Sequence, residues 1–297
     1  MEQYALILNP YAGRGKARQI EEKIISLLKN EIGNFAYFKT KYRGHAEQIA
    51  AEIKDKFEVI IAGGGDGTVH EIVNGMMGGS ATLAVLPIGS GNDFAKMLNL
   101  PKNLQKTVQV IKANRQKRID IGKINDRLFP NGLGIGFDAW VVQESYKIKK
   151  LRGFFIYLYA VLKTALNYKN QKITITFDKQ SEEKEIFMIA IGNGKAMGGG
   201  FYLTPNAMID DGVFDVCVIH SLRKNEIFLN LPKVLFGKHI YMKQVNMLKC
   251  NELKIQSRDG IAVHADGELL GLNFKDIQVS IVPAALEVIY HPDEGVE

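Results

Sequence analysis

A run of apolar residues that breaks into glycines, VIIAGGGDGTVHE, occupies residues 59–71 and restricts what this chain can fold into. Residues 59–61 are typical of a fully buried parallel strand. Residues 69–73 carry apolar side chains at helical spacing, and Thr68 with Glu71 three positions later predicts a capping box. The stretch is therefore predicted to form a strand, a glycine loop and a helix.

The glycine loop, residues 63–68, has the properties of a phosphate site. Glycines let an anion approach the backbone amides because no Cβ atoms intervene, and the helix behind adds partial positive charge. Asp66 would repel a phosphate unless a divalent cation lay between them, as Mg²⁺ does when one or two carboxylates hold it. These residues predict a metal–nucleotide site, although an ordinary tight turn is the alternative that this motif alone leaves open.

Two more loops join a predicted strand to a predicted helix. Residues 9–16 (NPYAGRGK) follow a strand at 4–8, and residues 88–95 (IGSGNDFA) follow a strand at 81–87. The first loop lacks the spacing of a P-loop or a dinucleotide fingerprint, and the second is not a nucleophile elbow. Alternating strands and helices predict a parallel, doubly wound sheet whose carboxyl edge gathers all three loops.

Composition narrows the class of protein. The 297 residues, 46% hydrophobic and 24% charged, suffice for two globular domains. The two cysteines lack CxxC spacing and the six histidines form no HxxxH or HExxH group, which argues against a zinc site. We expect no signal peptide, no transmembrane helix and a cytoplasmic location. The net charge of +6 favours anionic partners: nucleotides, acidic lipid head groups or nucleic acid.

From residue 117 the pattern changes to strands. Residues 117–124 and 127–132 flank Asn125-Asp126 and predict a β-hairpin. Residues 131–138, with glycine at alternate positions, predict a bulged strand or close backbone approach. Further short strands, joined by turns that include residues 179–184, predict a β-sandwich; they span 172–177, 185–191, 253–256, 261–264, 270–274 and 277–282. The predicted domains are a nucleotide-binding α/β domain at 1–120, to which 283–297 return, and a mainly β sandwich domain at 121–282.

Residues 143–170 predict one helix rich in aromatic residues and lysines. Lys149, Lys150 and Arg152 beside Phe154 and Phe155 suit an interfacial membrane helix. A helix lying across a β-sandwich would also be apolar on one face, and that alternative stays open.

Together these motifs resemble the diacylglycerol kinase catalytic-domain family, in the soluble bacterial lipid kinase branch that is related to sphingosine kinases and distantly to NAD kinases. The resemblance runs from Asn9 to Ile289, and Ser90 stands where the family usually has threonine. It implies an α/β N-terminal domain and a mainly β C-terminal sandwich domain. The motifs that carry it are NPYAGRGKA, GGGDGTVHEIVNG, GSGNDFA, IDIGK, GNGKAMGGG, PNAMIDDGVFDV and VHADGE.

The resemblance implies that ATP contacts the three loops and a few neighbouring positions. Asp66, Asp93 and Asp120 would share a hydrogen-bonded network linked to the metal. From the residues alone, Asn92-Asp93 equally suits a helix cap, and Asp120 equally suits a strand position facing solvent. The implied nucleotide residues are Asn9, Pro10, Tyr11, Ala12, Gly13, Thr40, Gly64, Gly65, Asp66, Gly67, Thr68, Glu71, Ser90, Asp93 and Asp120.

A second cation site is implied at the Asp-Asp-Gly segment. Mg²⁺ would be held by the Asp211 side chain and by the carbonyl oxygens of Met208 and Val213, in a structural or a catalytic role. An acidic turn without metal is the alternative.

The resemblance also implies a carboxylate that accepts the proton of the attacking hydroxyl. Glu268 is the first candidate, Asp266 supports or replaces it, and Asp66 is the third. Read by itself, Asp266-Gly267 also predicts a simple hairpin turn.

The predicted function is an ATP-dependent, Mg²⁺-requiring lipid kinase, with diacylglycerol as acceptor and phosphatidic acid as product. A kinase that phosphorylates NAD is the first alternative, and a non-enzymatic, nucleotide-sensing regulator at the membrane is the second. The expected partners are ATP and a lipid at the inner membrane surface, with no nucleic acid. A homodimer is a further expectation.

Overall fold

The computed structural model describes residues 2–148, 151, 154–177 and 180–292. The chain divides into two units. The first unit comprises Met1–Ile119 and Ala284–Glu297, and the second comprises Asp120–Pro283.

Strands alternate with helices in the first unit, as the sequence predicts. The four strands β1 to β4 are mutually parallel in the order β2-β1-β3-β4. The elements are β1 (Glu2–Leu8), α1 (Ala12–Gln19), α2 (Glu21–Ile32), β2 (Ala36–Lys39), α3 (His45–Ile53), β3 (Phe57–Gly64), α4 (Asp66–Met76), β4 (Thr82–Pro87), α5 (Asp93–Met97), α6 (Leu104–Ala113) and β5 (Gln116–Ile124), whose last residues belong to the second unit.

Burial explains why β3 reads as a continuous apolar run. It lies between β1 and β4, and residues 59–62 are at most 1% exposed. A central parallel strand is covered on both faces, so its buried residues 59–62 are all apolar. The carboxyl ends of these strands carry the three glycine loops.

The second unit is rich in antiparallel strands. The predicted hairpin around Asn125-Asp126 is confirmed, with Ile124 opposite Arg127. The elements are β6 (Arg127–Phe129), β7 (Gly132–Gly136), α7 (Phe137–Ser145), α8 (Phe154–Ala165), β8 (Gln171–Phe177), β9 (Gln180–Gly192), β10 (Phe214–His220), α9 (Lys224–Leu235), a 3₁₀ turn (Lys238–Tyr241), β11 (Val245–Cys250), β12 (Glu252–Ala265) and β13 (Glu268–Ile289).

Alternating side chains of β9 and β10 build two cores in this unit. Ile189, Ile191 and Val216 face an interior formed by strands, which includes residues of β7, β8, β12 and β13. Met188 and Cys217 face the other way, against α7, α8 and α9. The period of two along each strand therefore separates a β-sandwich interior from a helical layer.

Strand β13 completes the first unit's sheet. Its residues from Ala284 onwards belong to that unit, and Val288 lies opposite Leu83 of β4 in parallel pairing. The α/β first unit and the β-rich second unit confirm the predicted fold class.

Several predicted elements are wrong in their bounds. Residues 143–170 do not form one helix, because α7 starts at Phe137 and ends at Ser145 and a separate helix, α8, starts at Phe154. The glycine-rich strand at 131–138 gives way to α7 at Phe137. Lys149, Lys150 and Arg152, which carry the basic part of the membrane hypothesis, lie outside the described residues.

The short strands predicted at the C-terminal end are parts of two long ones. β12 and β13 pair antiparallel, with register shifts near residues 256–264, and these irregularities interrupt the alternation of apolar residues. Similarly, β9 begins at Gln180, so residues 180–184 belong to a strand rather than to the predicted turn, and Lys179 lies outside the described residues.

Candidate active site

Backbone hydrogen bonds bring the three glycine loops of the first unit together. The Asn9 amide N–H donates to the Gly63 carbonyl (2.9 Å), and the N–H groups of Ile88 and Gly89 donate to the Gly64 carbonyl (2.8 and 3.1 Å). The Asn9 side chain donates to the Thr68 hydroxyl (3.0 Å). The structure thus confirms that these loops meet at the carboxyl edge of the sheet.

Two glycines permit this close approach. A side chain on Gly89 would place its Cβ 2.3 Å from the Gly65 Cα, so the second and third loops touch backbone to backbone. Gly13 has φ +58°, and a Cβ there would lie 2.5 Å from the Ile88 carbonyl oxygen. Only residues without a side chain fit these positions.

The predicted capping box of Thr68 and Glu71 is wrong. Helix α4 starts at Asp66, behind Gly65, and no side chain caps it. The Glu71 carboxylate instead accepts from the backbone N–H groups of Gly44 (2.8 Å) and Ala46 (3.1 Å). Glu71 therefore satisfies the N-terminal amides of α3, a neighbour that is distant in sequence.

Asp66 caps a different helix from the one it starts. Its Oδ1 accepts from the Phe94 backbone N–H at 3.0 Å, at the N-terminus of α5. Asn92 makes no side-chain cap, so the helix-cap alternative for Asn92 is wrong. Asp93 is 4% exposed, and its Oδ1 pairs with the Lys96 ammonium at 2.7 Å.

The remaining predicted nucleotide residues of this unit lie at the ends of the same strands. Tyr11 is 67% exposed and its N–H donates to the Asn9 side chain (3.0 Å), whereas Thr40 is buried and its N–H donates to the Leu8 carbonyl (2.9 Å). Ser90 is exposed beside Gly89. Backbone amides and helix N-termini at this edge form a surface suited to phosphate groups.

Asp120 anchors the Asp-Asp-Gly segment of the second unit. It is 3% exposed, so the alternative of a solvent-facing strand residue is wrong. Its carboxylate accepts from the Gly212 N–H (2.7 Å), and its own N–H donates to the Ile209 carbonyl (2.7 Å). The fully buried Asn193 side chain donates to the Asp120 carbonyl (2.8 Å).

The Lys249 ammonium lies beside Asp211, the side chain that is predicted to hold the second cation. Lys249 contacts Asp211 (3.0 Å) and Asp215 (3.4 Å), and the hydrogen bond with Asp211 raises the pKa of the lysine. Burial raises the pKa of Asp215. Among the described residues no three His, Cys, Asp or Glu side chains cluster for a metal. Mg²⁺ accepts carboxylate and carbonyl oxygens, and one of the two Asp211 oxygens is paired with Lys249.

Asp266 and Gly267 form the two-residue turn between β12 and β13. Both have positive φ (+49° and +81°), as a type I′ hairpin requires. The Asp266 carboxylate accepts from the backbone N–H groups of Asn131 (3.0 Å) and Gly132 (2.9 Å). Glu268 follows as the first residue of β13 and is partly exposed.

The structure also shows a pair that the sequence analysis missed. His264 is 2% exposed, and its Nε2 contacts Asp138 Oδ2 at 2.8 Å. Gly134 lies opposite His264, and a Cβ there would come within 2.1 Å of the imidazole. The glycine at position 134 is the only sequence signal of this pair, and it does not name the partners.

An apolar cavity lies in the helical layer of the second unit. Among the described residues that line it, Asp138 carries the one carboxylate, and Asn230 and His239 add polar atoms. Burial lowers the pKa of His239, whose Nε2 contacts the Leu203 carbonyl at 3.1 Å. The apolar walls are formed chiefly by Phe137, Val141, Tyr157, Val161, Phe187, Met188, Ile219, Ile227, Leu231 and Val234. Within the part of the chain that the structure describes, no helix has the length and apolar character needed to cross a bilayer.

Comparison with known proteins identifies the family. Residues 3–124 match the model of the diacylglycerol kinase catalytic domain, and residues 132–290 match the YegS C-terminal NAD kinase beta sandwich-like domain. A diacylglycerol kinase of Staphylococcus saprophyticus is 28% identical over 273 residues, which cover 90% of this chain and 88% of that protein.

Solved structures agree with this result. The crystal structure of a diacylglycerol kinase from Bacillus anthracis has a TM-score of 0.77 at 28% identity, covering 98% of this chain and 97% of that one. Yeast NADH kinase in complex with NADH shares the fold, with a TM-score of 0.54 at 12% identity over 99% of this chain and 84% of that one. This chain is a lipid kinase that belongs to the diacylglycerol kinase catalytic-domain family.

Proposed function

We propose that this lipid kinase transfers the γ-phosphoryl group of ATP to the free hydroxyl of diacylglycerol and so forms phosphatidic acid. The observation that carries the choice of acceptor is the apolar cavity of the second unit. Aliphatic and aromatic walls suit acyl chains, and a carboxylate in the wall, that of Asp138, suits the polar end of a lipid.

One residue of the cavity wall lies next to the turn that precedes Glu268. Tyr157 lines the cavity, and its hydroxyl would lie 3.5 Å from a Cβ on Gly267. Asp138 also lines it and contacts His264, which is two residues before Asp266. A lipid whose chains occupy the cavity would have its polar end near the Asp-Gly-Glu turn.

The three glycine loops of the first unit are the proposed ATP site. Their amides and helix N-termini favour the phosphates. Asp66 and Asp93 are carboxylates on neighbouring loops, which is a donor set that fits Mg²⁺. Bound there with ATP, the ion would neutralise charge that develops on the phosphoryl oxygens.

Glu268 is the proposed proton acceptor. The lipid oxygen forms a bond to the γ-phosphorus, the bond from that phosphorus to the β–γ bridging oxygen breaks, ADP leaves, and the hydroxyl proton moves to Glu268. Asp266 is assigned a positioning role, because two backbone N–H groups already bind its carboxylate. Asp66 binds the Phe94 N–H and is assigned to the ATP site.

Phosphorylation of NAD is the alternative to test first, because yeast NADH kinase shares this fold. An apolar cavity favours acyl chains over a charged dinucleotide. The proposal also places the enzyme at the inner membrane surface, since its acceptor resides in the bilayer.

The decisive assay measures ADP release with ATP, Mg²⁺ and one acceptor at a time. We expect turnover with diacylglycerol and none with NAD⁺, sphingosine or buffer alone. Glu268→Gln should lower kcat about 10²- to 10⁴-fold while ATP still binds, and Glu252→Gln, at an exposed position of β12, should leave it unchanged. If NAD⁺ were the one acceptor that supported turnover, the proposal would be contradicted. A complete lack of turnover with every acceptor in the panel would contradict it as well.

A further inference from the structure

Helix α9 carries apolar side chains on both of its faces. Its inner face, including Ile227, Leu231 and Val234, lines the cavity. Its outer face exposes Leu229 (74%) to solvent, and Phe236 (74%), the residue directly after the helix, is equally exposed.

The 3₁₀ turn, which packs against α9, also exposes an apolar side chain. Phe228 at the start of the outer face is 37% exposed, and Tyr241 at the end of the turn is 84% exposed. A surface helix of a globular protein normally presents polar residues on the side away from the core. Exposed apolar residues that lie near one another indicate a surface that binds another protein or a membrane. We call this surface the α9 face. It comprises Phe228, Leu229, Phe236 and Tyr241, with the lysines between and beside them.

Basic residues surround this apolar surface. Residues 223–243 contain five cationic side chains and a single acidic one, Glu226. Glu226 is already engaged, because its carboxylate accepts from the Arg223 N–H (2.8 Å) and from the Gln244 side chain (3.1 Å). Lys233, Lys238 and Lys243 are all exposed.

Aromatic and aliphatic side chains framed by lysines are the pattern of a segment that lies in the interface of an anionic membrane. A second copy of this chain is a poorer partner. In a two-fold dimer the same patch would face itself, and lysines would then meet lysines.

We propose that the α9 face binds the surface of an anionic phospholipid bilayer, with Leu229 and Phe236 inserted among the lipids. The inner face of the same helix lines the cavity, so the lipid acceptor would pass under α9 rather than cross water. This inference rests on the proposed function, because it supplies the route of an insoluble substrate to its site.

Vesicle sedimentation tests the surface directly. The wild-type chain should bind vesicles of phosphatidylglycerol and phosphatidylcholine more strongly than vesicles of phosphatidylcholine alone. The pair Lys233→Glu and Lys238→Glu should weaken binding to the anionic vesicles at least 25-fold, since each lysine near such a surface contributes about fivefold. The pair Lys172→Glu and Lys275→Glu, exposed in the same unit, is the control and should have a far smaller effect.

Insertion has its own readout. Phe236→Trp, combined with Trp140→Phe so that position 236 carries the sole tryptophan, should shift its fluorescence emission to the blue on anionic vesicles. Leu229→Ser with Phe236→Ser should release the protein from them. Val282→Ser, an exposed apolar position on β13, is the matched control. Emission at position 236 that stays as in buffer while the protein is bound would overturn the proposal.

Activity separates this inference from the proposed function. Turnover of a water-soluble, short-chain diacylglycerol should be unchanged in the α9-face variants, whereas turnover of long-chain diacylglycerol in vesicles should fall. No turnover of either acceptor by the wild type, with vesicle binding intact, would contradict the kinase proposal alone. Equal vesicle binding by all variants would contradict the α9 face, as would a lipid-free dimer that the Leu229→Ser and Phe236→Ser changes dissociate.

Discussion

Replacing Asp266 separates structural support from catalysis in the Asp-Gly-Glu turn. Its carboxylate accepts two backbone hydrogen bonds, from Asn131 at 3.0 Å and Gly132 at 2.9 Å, and its side chain is 7% exposed. A hydrogen bond to a charged group contributes about 1.5–3 kcal/mol, and a buried donor without a partner costs about 1–3 kcal/mol. Asp266→Ala leaves both donors unsatisfied.

The turn geometry adds to this effect. Asp266 has φ +49°, a left-handed conformation that costs alanine about 1 kcal/mol more than aspartate or asparagine. We therefore expect Asp266→Ala to lower the free energy of unfolding of the second unit by about 4 kcal/mol. Asp266→Asn keeps an oxygen acceptor and tolerates the turn, so we expect a loss of about 1 kcal/mol.

The assay is urea unfolding followed by the fluorescence of Trp140, the single tryptophan of the chain, which lies in α7 of the second unit. With a slope near 2 kcal/mol per molar urea, the alanine variant should unfold at about 2 M less urea than the wild type. Glu268→Gln should unfold like the wild type although its turnover falls. An alanine variant within about 0.5 kcal/mol of wild type, a difference typical of surface substitutions, or an asparagine variant as unstable as alanine, would refute this account of the hydrogen bonds.

Three further predictions concern other contacts. Glu71→Gln removes the charge that binds the α3 amides, so the thermal unfolding of the first unit should shift as expected for a loss of about 1 kcal/mol; an unchanged melting temperature would contradict that role. Gly89→Ala should weaken ATP binding at least about tenfold, equivalent to about 1.4 kcal/mol, in calorimetry, because its Cβ would displace Gly65, and unaltered affinity would argue against these loops as the ATP site. His239 binds fewer protons when folded, since burial lowers its pKa, so stability should fall as the pH drops below about 6.5. His239→Gln should reduce the loss of stability between pH 7.5 and 5.5. A melting temperature with the same pH dependence in the variant and the wild type would rule out this role of His239.

The sequence predicts best what depends on neighbours along the chain. Strand β3 and its glycine loop are predictable because the buried residues 59–62 of a central strand must be apolar. The contact between this loop and the loop after β4 likewise needs glycines at 65 and 89. The hairpin at Asn125 is visible for the same local reason, since Asn125 has φ +47°. The meeting of the three loops is also predictable, because the carboxyl ends of parallel strands lie at the same edge of a sheet.

Roles that depend on distant partners could not be predicted. Glu71 stands three residues after Thr68 and therefore looks like a capping residue, yet its partners are 25 and 27 residues away. Lys249 meets Asp211 across 38 residues, and His264 meets Asp138 across 126. Such pairs are set by how distant elements pack against one another in three dimensions, which periodicity along the chain does not report.

The break between α7 and α8 shows a related limit. Both helices are apolar, and periodicity alone does not tell one long helix from two short ones. Where the inner and outer faces of a helix are both apolar, as in α9, hydrophobic pattern reports burial poorly, and the exposure of Leu229 and Phe236 becomes visible only in three dimensions.

The path of β13 has a consequence for how the chain is made. Val288 pairs with β4, so the sheet of the first unit receives a strand from residues that are synthesised after the second unit. During synthesis, β4 lacks that neighbour while more than half of the polypeptide, residues 120–283, is still being added. The sheet of the first unit is therefore completed only after the second unit has been synthesised, and the open edge of β4 must stay protected from other chains until then.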